Sequence, residues 1–485
     1  METSAPARVL PAAVRPTKVL PADDAAERRK TGTPAYVWGY NARAGLGLGH
    51  TAQVTSPVPL RLPPGTVEVQ GGLNFTVALT LKGVLYAWGG NQYGQLGDGT
   101  TDLRWQPTPV RLPKGVKVSG IAVGTDHVLA RTSSGEVLAW GRNHRGQVGN
   151  GSTTDQHVPV PVGRISSRVA SVAAGNGISA VITRSGDVLT WGRNSFGQLG
   201  VRDRGDGANA AETGLSQSRP VKARLPRGAD PVAVDAGHRH VAVALRDGRL
   251  VLFGLDAAGR FSEGSVTLKS SWGRPVQVSA GEDFTLVLTN RHVLLGIGGN
   301  ASGQLGVGDR VNRLTPAVIT MPHANGRVIE VVAGARGAAA LTSTGEVFTW
   351  GDGNVGQHGA GPTEKARATQ PTPQRVQALK GTRVTAVSCG DHHVIATVDR
   401  GPAVALRVSP SRTTVAPGEK VTYRVHEVDT FDQDLGTPSA VTLTVSDGRV
   451  AGRTVSARTP GVHHVTARSG RLVGTATLIV SKGHR

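Results

Sequence analysis

The sequence has almost nothing with which to staple a fold chemically: its 485 residues include one cysteine, Cys389. A single cysteine cannot form an internal disulfide, so packing must hold the chain together. Long apolar runs are missing as well. No stretch of about 18 apolar residues occurs, which argues against a membrane-spanning helix. The N-terminal segment has prolines and charges where an export signal needs an apolar stretch, so the expectation is a soluble protein, cytoplasmic by default. No nucleophile elbow, phosphate loop or metal-binding cysteine pair is present. The chain is therefore expected to be no enzyme and to use no cofactor and no metal.

What the chain has in excess is glycine, 66 residues, much of it in one recurring phrase. Aligned on tryptophan, the phrase reads YVWGYNARAGLGLG at Trp38, YAWGGNQYGQLGDG at Trp88, LAWGRNHRGQVGNG at Trp140, LTWGRNSFGQLGVR at Trp191 and FTWGDGNVGQHGAG at Trp350. LGIGGNASGQLGVG replaces the tryptophan with Ile297, and a decayed copy, VLFGLDAAGRFSEG, centres on Phe253. Successive anchors lie 50, 52, 51, 62, 44 and 53 residues apart. Five residues before the anchor stands a glycine (Gly83, Gly135, Gly186, Gly248, Gly345), replaced once by His292. Eleven residues further back comes another, at Gly72, Gly124, Gly175, Gly237, Gly281 and Gly334, and the last pair is Gly390 with Gly401.

A period near 50 residues means one supersecondary unit per repeat. The unit VEVQGGLNFTVALTLKGVLYAWGG predicts strands at 67 to 70, 75 to 80 and 84 to 88, with a proline-bounded fourth at 108 to 112. The hairpin glycine supplies a positive φ without steric cost, and the aromatic then falls at a constant strand position, where it fills the wedge between sheets. Seven such sheets around an axis make a propeller. The first anchor has no hairpin before it, and the last hairpin has no anchor. Pairing the strand around Trp38 with the hairpin at 384 to 398 completes a blade and removes exposed edges. The predicted fold is all-β: residues 1–34 a disordered tail, 35–401 a seven-bladed β-propeller closed by pairing of its N- and C-terminal strands, and 402–485 a small β-sandwich.

Tryptophan-glycine, an asparagine, then GQLG, preceded by G-x-D-H and a hairpin glycine, resembles the repeat of the regulator of chromosome condensation family over about 365 residues. The blade after Trp191 departs from it, carrying about ten extra residues in the 201–219 segment. Members of the resembling family bind histone surfaces, act as exchange factors for a small GTPase, or inhibit β-lactamases. The tail, with V-x-P-G and G-x-H-x-V-T-A, resembles bacterial immunoglobulin-like domains, which implies a cell-surface or extracellular setting and leaves the compartment open.

The recurring GQLG glycines lack the following helix that a phosphate cradle needs, so they read as tight connections. His127, His238, His240, His392 and His393 could ligate a metal, but Phe75, Ile178, Phe284 and Gly337 take the place of His127, His240 and His393 in the other blades, and a ligand ring would not alternate with phenylalanine. The two residues before that position vary while the frame repeats. They are Leu73-Asn74, Thr125-Asp126, Asn176-Gly177, His238-Arg239, Glu282-Asp283, Ala335-Arg336 and Asp391-His392. Exposed turns on a fixed frame suit recognition, so Asn74, Thr125, Asp126, His238, Arg239, Glu282, Asp283, Arg336, Asp391 and His392 are the candidate contacts for a partner protein. The net charge of +20 supports a rival reading, a polyanion binder for nucleic acid or an acidic envelope polymer. It divides into +2, +13 and +5 over the tail, propeller and last domain, which predicts no concentrated basic surface. A monomer is expected. Arg204-Gly205-Asp206, an adhesion-like tripeptide, reads as coincidence.

Overall fold

The computed structural model describes residues 32–201, 216–254, 264–364, 368–399, 403–431 and 434–481. Most of the expected tail, and most of the 201–219 segment with Arg204, Gly205 and Asp206, lie outside them. The described residues are all-β with almost no helix. It divides into two compact units, one running to Lys380 and including Val384–Val398, the other comprising Gly381–Arg383 and the residues from Asp399.

In the first unit, four-stranded antiparallel sheets follow one another along the chain. In six of them the strands pair in chain order, as in Thr66–Gly71, Phe75–Thr80, Leu85–Gly89 and Arg104–Pro109. The fourth strand thus begins at Arg104, earlier than the expected 108. Pro107 and Pro109 lie within it and do not open it, because this strand forms the sheet's outer edge, where a missing N–H costs no ladder bond. A further sheet draws on both ends of the unit, in the order Val384–Cys389, His393–Val398, Thr33–Gly39, Val54–Leu62.

Its register is that of the others. Trp38 lies opposite Val394 and Gly39 opposite His393, as Trp88 lies opposite Thr76 and Gly89 opposite Phe75, and Trp191 opposite Ser179 and Gly192 opposite Ile178. The anchor therefore reaches the same depth in every sheet. Trp38, Trp88, Trp140, Trp191 and Trp350 are all fully buried, each contributing roughly 2 to 3 kcal/mol of burial.

The tryptophan also crosses to the neighbouring sheet. The indole Nε1 of Trp140 donates to the carbonyl of Gln95, Trp191 to Gln147, Trp350 to Gln304 and Trp38 to Gln357, each at 2.9 Å. The acceptor is the glutamine of the preceding sheet's GQLG. The glycine that closes this phrase lies against the ring: a Cβ on Gly149, whose φ is +79, would fall 2.5 Å from Trp191 Nε1. Within the phrase, the asparagine and glutamine fold the loop onto itself. Asn143 Oδ1 accepts from Val148 N at 2.9 Å, and Gln147 Oε1 accepts from Arg145 N at 2.9 Å. The repeated glycines and the repeated tryptophan are two sides of one contact.

At the inner edge a second series of bonds links the sheets. Leu73 N donates to Thr125 O, Thr125 N to Gly175 O, Asn176 N to Gly237 O, His238 N to Gly281 O, Glu282 N to Ala335 O, Ala335 N to Asp391 O, and Asp391 N to Gly72 O. The last bond returns to the first sheet in the series. Glycine is needed here by approach: a Cβ on Gly237 would lie 2.1 Å from Gly281 O.

The second unit has three small sheets. Arg412–Val415, Leu472–Val480, Gly461–Ser469 and Thr442–Val445 form the largest. Leu406, Tyr423, Val425, Leu443, Val455, Val465 and Leu478 form its core.

Candidate recognition face

Each pair of variable residues occupies the turn between the first and second strand of its sheet, at the end where the GQLG loop also lies. The contacts there follow one rule: the second turn residue meets the residue two after the anchor. Asp126 pairs with Arg142 at 3.2 Å, His392 meets Tyr40 edge-on at 6.3 Å between ring centroids, and Gly299 sits directly against Asp283, where a Cβ would clash with the carboxylate. Tyr40, Arg142, Arg193 and Asp352 thus belong to the face. So do Tyr93, Arg145 and Phe196, two residues after the motif asparagine. The guanidinium of Arg142 stacks on Tyr93 at 4.4 Å, and those of Arg193 and Arg239 stack on Phe196 at 4.8 and 5.7 Å. Sequence reasoning missed this second ring. The signal was available as the variable positions inside W-G-x-N-x-x-G.

Toward the centre the candidates are drawn together. His238 Nε2 and Asp391 Oδ1 are 3.4 Å apart although their sheets do not adjoin. Glu282 accepts from Arg336 at 2.7 Å, and Arg239 lies 3.9 Å away. Asp283 accepts from Gln304 Nε2 at 3.2 Å. Arg239 and Arg336 are exposed, whereas Thr125 is buried with its hydroxyl unpartnered, and Asn74 is half-buried with an unpartnered Oδ1. The face therefore presents two arginines above a partly covered acidic centre.

The electrostatics follow from this packing. Burial pushes Asp391 up, but the hydrogen bond and charge of His238 outweigh it and hold the carboxyl below its usual range. Burial likewise lowers His238, but Asp391 overrides it and raises the imidazole above its ordinary value. Loss of solvation raises Asp126 despite Arg142 and raises Asp283 despite Gln304. In Glu282 the same penalty is overcome by Arg336, and the carboxyl is lowered.

The histidines next to the turns have another task. His127 Nε2 contacts Ser179 Oγ at 2.9 Å, His240 contacts Thr285 Oγ1 at 2.8 Å and His393 contacts Thr76 Oγ1 at 3.3 Å, each in a neighbouring sheet. The Ser179 and Thr76 hydroxyls donate to the carbonyls of Gln147 and Gly45 at 2.7 Å, so Nε2 must be the donor. Burial pushes these imidazoles down, His127 to about 3 and His240 and His393 to about 4, and they are neutral. This bond runs between sheets, which explains why histidine alternates with Phe75, Ile178 and Phe284. Those residues precede the hydroxyl partners.

Among the described residues no three of histidine, cysteine, aspartate and glutamate are placed to hold a metal ion. Loss of solvation, with the charge of Glu330, pushes the Cys389 thiol up to about 12, so it is no thiolate at neutral pH. No helix among the described residues is long and apolar enough to cross a membrane.

A four-stranded sheet repeated with an indole-to-carbonyl link defines a class of β-propeller repeat. The regulator of chromosome condensation repeat model matches residues 35–79, 82–131, 134–182, 185–244, 292–341 and 344–397, and the chain belongs to this family. The unmatched stretch holds the decayed anchor Phe253. The ultraviolet-B receptor UVR8 of Arabidopsis thaliana is 31% identical over 338 residues, 67% of this chain and 74% of the receptor. The human E3 ubiquitin-protein ligase HERC2 is 30% identical over 76% of this chain, which spans only 8% of that ligase. Among solved structures, human WBSCR16 (TM-score 0.64, 23% identity, 76% of this chain and 99% of that one) and Prp20p from Saccharomyces cerevisiae (0.63, 21%, 78% and 95%) share the fold.

Proposed function

We propose that the chain is a non-catalytic binding scaffold, a closed seven-bladed propeller whose hub turns recognise a partner protein, followed by an immunoglobulin-like sandwich at 402–485. Closure is supported by the register that Trp38 shares with the other anchors and by the bond from Asp391 to Gly72. The observation that carries the function is the contrast between a repeating frame and the dissimilar side chains it gathers at one end: Asp126, His238, Arg239, Glu282, Asp283, Arg336 and Asp391. Relatives named as a light receptor and a ubiquitin ligase share the repeat, and the Prp20p structure is described with that protein's binding to Gsp1p and histones. Different functions on one repeat support a reading in which specificity lies in the side chains it displays. Exchange activity toward a small GTPase is a lower alternative with no residue here to carry it. The protein acts as a monomer.

A second reading has its own observation. The residue before each first strand bonds the start of the hairpin at the opposite end of the sheet, as Arg184 N donates to Arg168 O and Ser133 N to Lys117 O. Exposed Lys82, Lys117, Arg168, Arg184, Arg274, Arg291 and Arg327 therefore share that end, together with the carboxylates of Asp230 and Asp247. A phosphate polymer would bind there with steep salt dependence. The test is capture from native lysate, with and without nuclease and salt, by the wild type and by Glu282→Ala/Arg336→Ala. One protein held after nuclease and salt, and lost from the variant, supports recognition by the hub turns; capture that vanishes with nuclease or salt transfers function to the basic end.

A further inference from the structure

Comparison of the repeats with one another exposes a missing carboxylate. In the sheet of Trp140, Arg142 is answered by Asp126 of the same sheet's turn. In the sheet of Ile297, Gln304 Nε2 donates to Asp283 at that turn position. The sheet of Trp191 keeps both donors, Arg193 and Gln198, but its turn residue is Gly177. Gln198 is fully buried and its Nε2 has no partner. Among the described residues the Arg193 guanidinium bonds only Ser195 Oγ, at 3.4 Å, and neither it nor Arg145 meets a carboxylate. The space left lies between the stems of the two arginines and one amide donor: a Cβ on Gly177 would stand 3.7 Å from Arg193 Cβ, 3.8 Å from Arg145 Cγ and 3.8 Å from Gln147 Nε2.

The surroundings disfavour leaving this notch without an anion. Arg193 and Arg239 both stack on Phe196, which fixes their planes, and Arg145 adds a third positive charge. Loss of solvation, then Arg145 and Arg239, lowers the Arg193 guanidinium below its ordinary value. Like charges held this close on a rigid ring gain most from an acceptor placed among them.

We propose that the Gly177 notch is a carboxylate-binding subsite, in which an aspartate or glutamate side chain of the partner protein takes the place that Asp126 and Asp283 fill in their own sheets. Arg193 and Arg145 supply the charge, Gln147 and Gln198 supply neutral donors, and Phe196 holds the Arg193 guanidinium flat. The inference rests on the hub-turn reading and names the chemistry of its partner.

The test uses the full chain and a fluorescein-labelled pentaglutamate peptide, with pentalysine and inorganic phosphate as comparison probes, read by anisotropy at moderate salt. Gly177→Asp fills the notch from within, and aspartate tolerates the φ of +70 found there better than most residues. Gly177→Asn imposes the same backbone cost without charge. Loss of one charged hydrogen bond predicts binding about tenfold weaker or more in Gly177→Asp and Arg193→Gln, with Gly177→Asn close to wild type. Equal affinity in all variants overturns the subsite, and phosphate displacing the peptide at lower concentration overturns the carboxylate assignment. If Glu282→Ala/Arg336→Ala still abolishes capture of a protein partner in either case, the hub-turn reading survives the loss of this inference.

Discussion

Trp88 and Trp140 occupy equivalent positions in successive sheets and are both fully buried, yet they differ in one bond. Trp140 Nε1 donates to Gln95 O at 2.9 Å. Trp88 Nε1 is buried without a partner, and Gly45 stands at the position that the glutamine holds in the other tryptophan copies. Replacing either tryptophan with phenylalanine removes a similar volume, so the packing loss nearly cancels between the two variants. What remains is the hydrogen bond. In Trp140→Phe a buried carbonyl loses its donor, which costs about 1 to 3 kcal/mol, whereas Trp88→Phe removes a buried N–H that was already unsatisfied. Trp140→Phe should therefore be destabilised relative to Trp88→Phe by about that amount. Urea unfolding followed by far-ultraviolet circular dichroism reads the difference without relying on tryptophan emission. Equal midpoints for the two variants would refute the inter-sheet link as a source of stability.

Three further outcomes follow from the geometry. The neutral imidazoles of His127, His240 and His393 have folded pKa values near 3, 4 and 4, against about 6.5 unfolded. Their contribution is complete above 6.5 and is lost as pH falls toward the folded values, about 2 kcal/mol each at pH 5; His240→Phe should flatten that acid limb in a denaturation series. His238 has the opposite sign: its raised pKa contributes stability below the unfolded value that disappears as pH rises through the folded one, and Asp391→Asn should lower the His238 pKa in an NMR titration. The sheet of Trp350 replaces the motif asparagine with Gly353 and the leucine with His358, and a Cβ on Gly353 would lie 2.2 Å from His358 Cδ2. Gly353→Asn alone should lower thermal stability, and adding His358→Leu should restore it.

Much of this frame could be read from the sequence because its causes are local and repeated. Glycines recur where a hairpin needs positive φ, and His292, which replaces one of them, adopts a φ of 62°. The anchors recur because each fills the same wedge. The indole-to-glutamine bond was not legible, since no spacing tells which carbonyl of a neighbouring sheet an N–H will meet. The outer strands were misplaced because proline marks an edge without marking where it begins. Of the face, the turn residues were found by their variation, while Arg142, Arg193, Tyr93 and Phe196 were hidden inside a motif read as structural. The approach of His238 to Asp391 depends on how the whole set of sheets is arranged, and no local pattern announces it.

The central claim is that the hub turns, and not the chain's charge, select the partner. The direct measurement is the affinity of a captured protein for wild type, for Glu282→Ala/Arg336→Ala and for Lys117→Ala/Arg168→Ala/Arg184→Ala, across a salt series. Affinity lost in the first variant, kept in the second and nearly flat with salt is the predicted result. Affinity lost in the second, kept in the first and falling steeply with salt would contradict it.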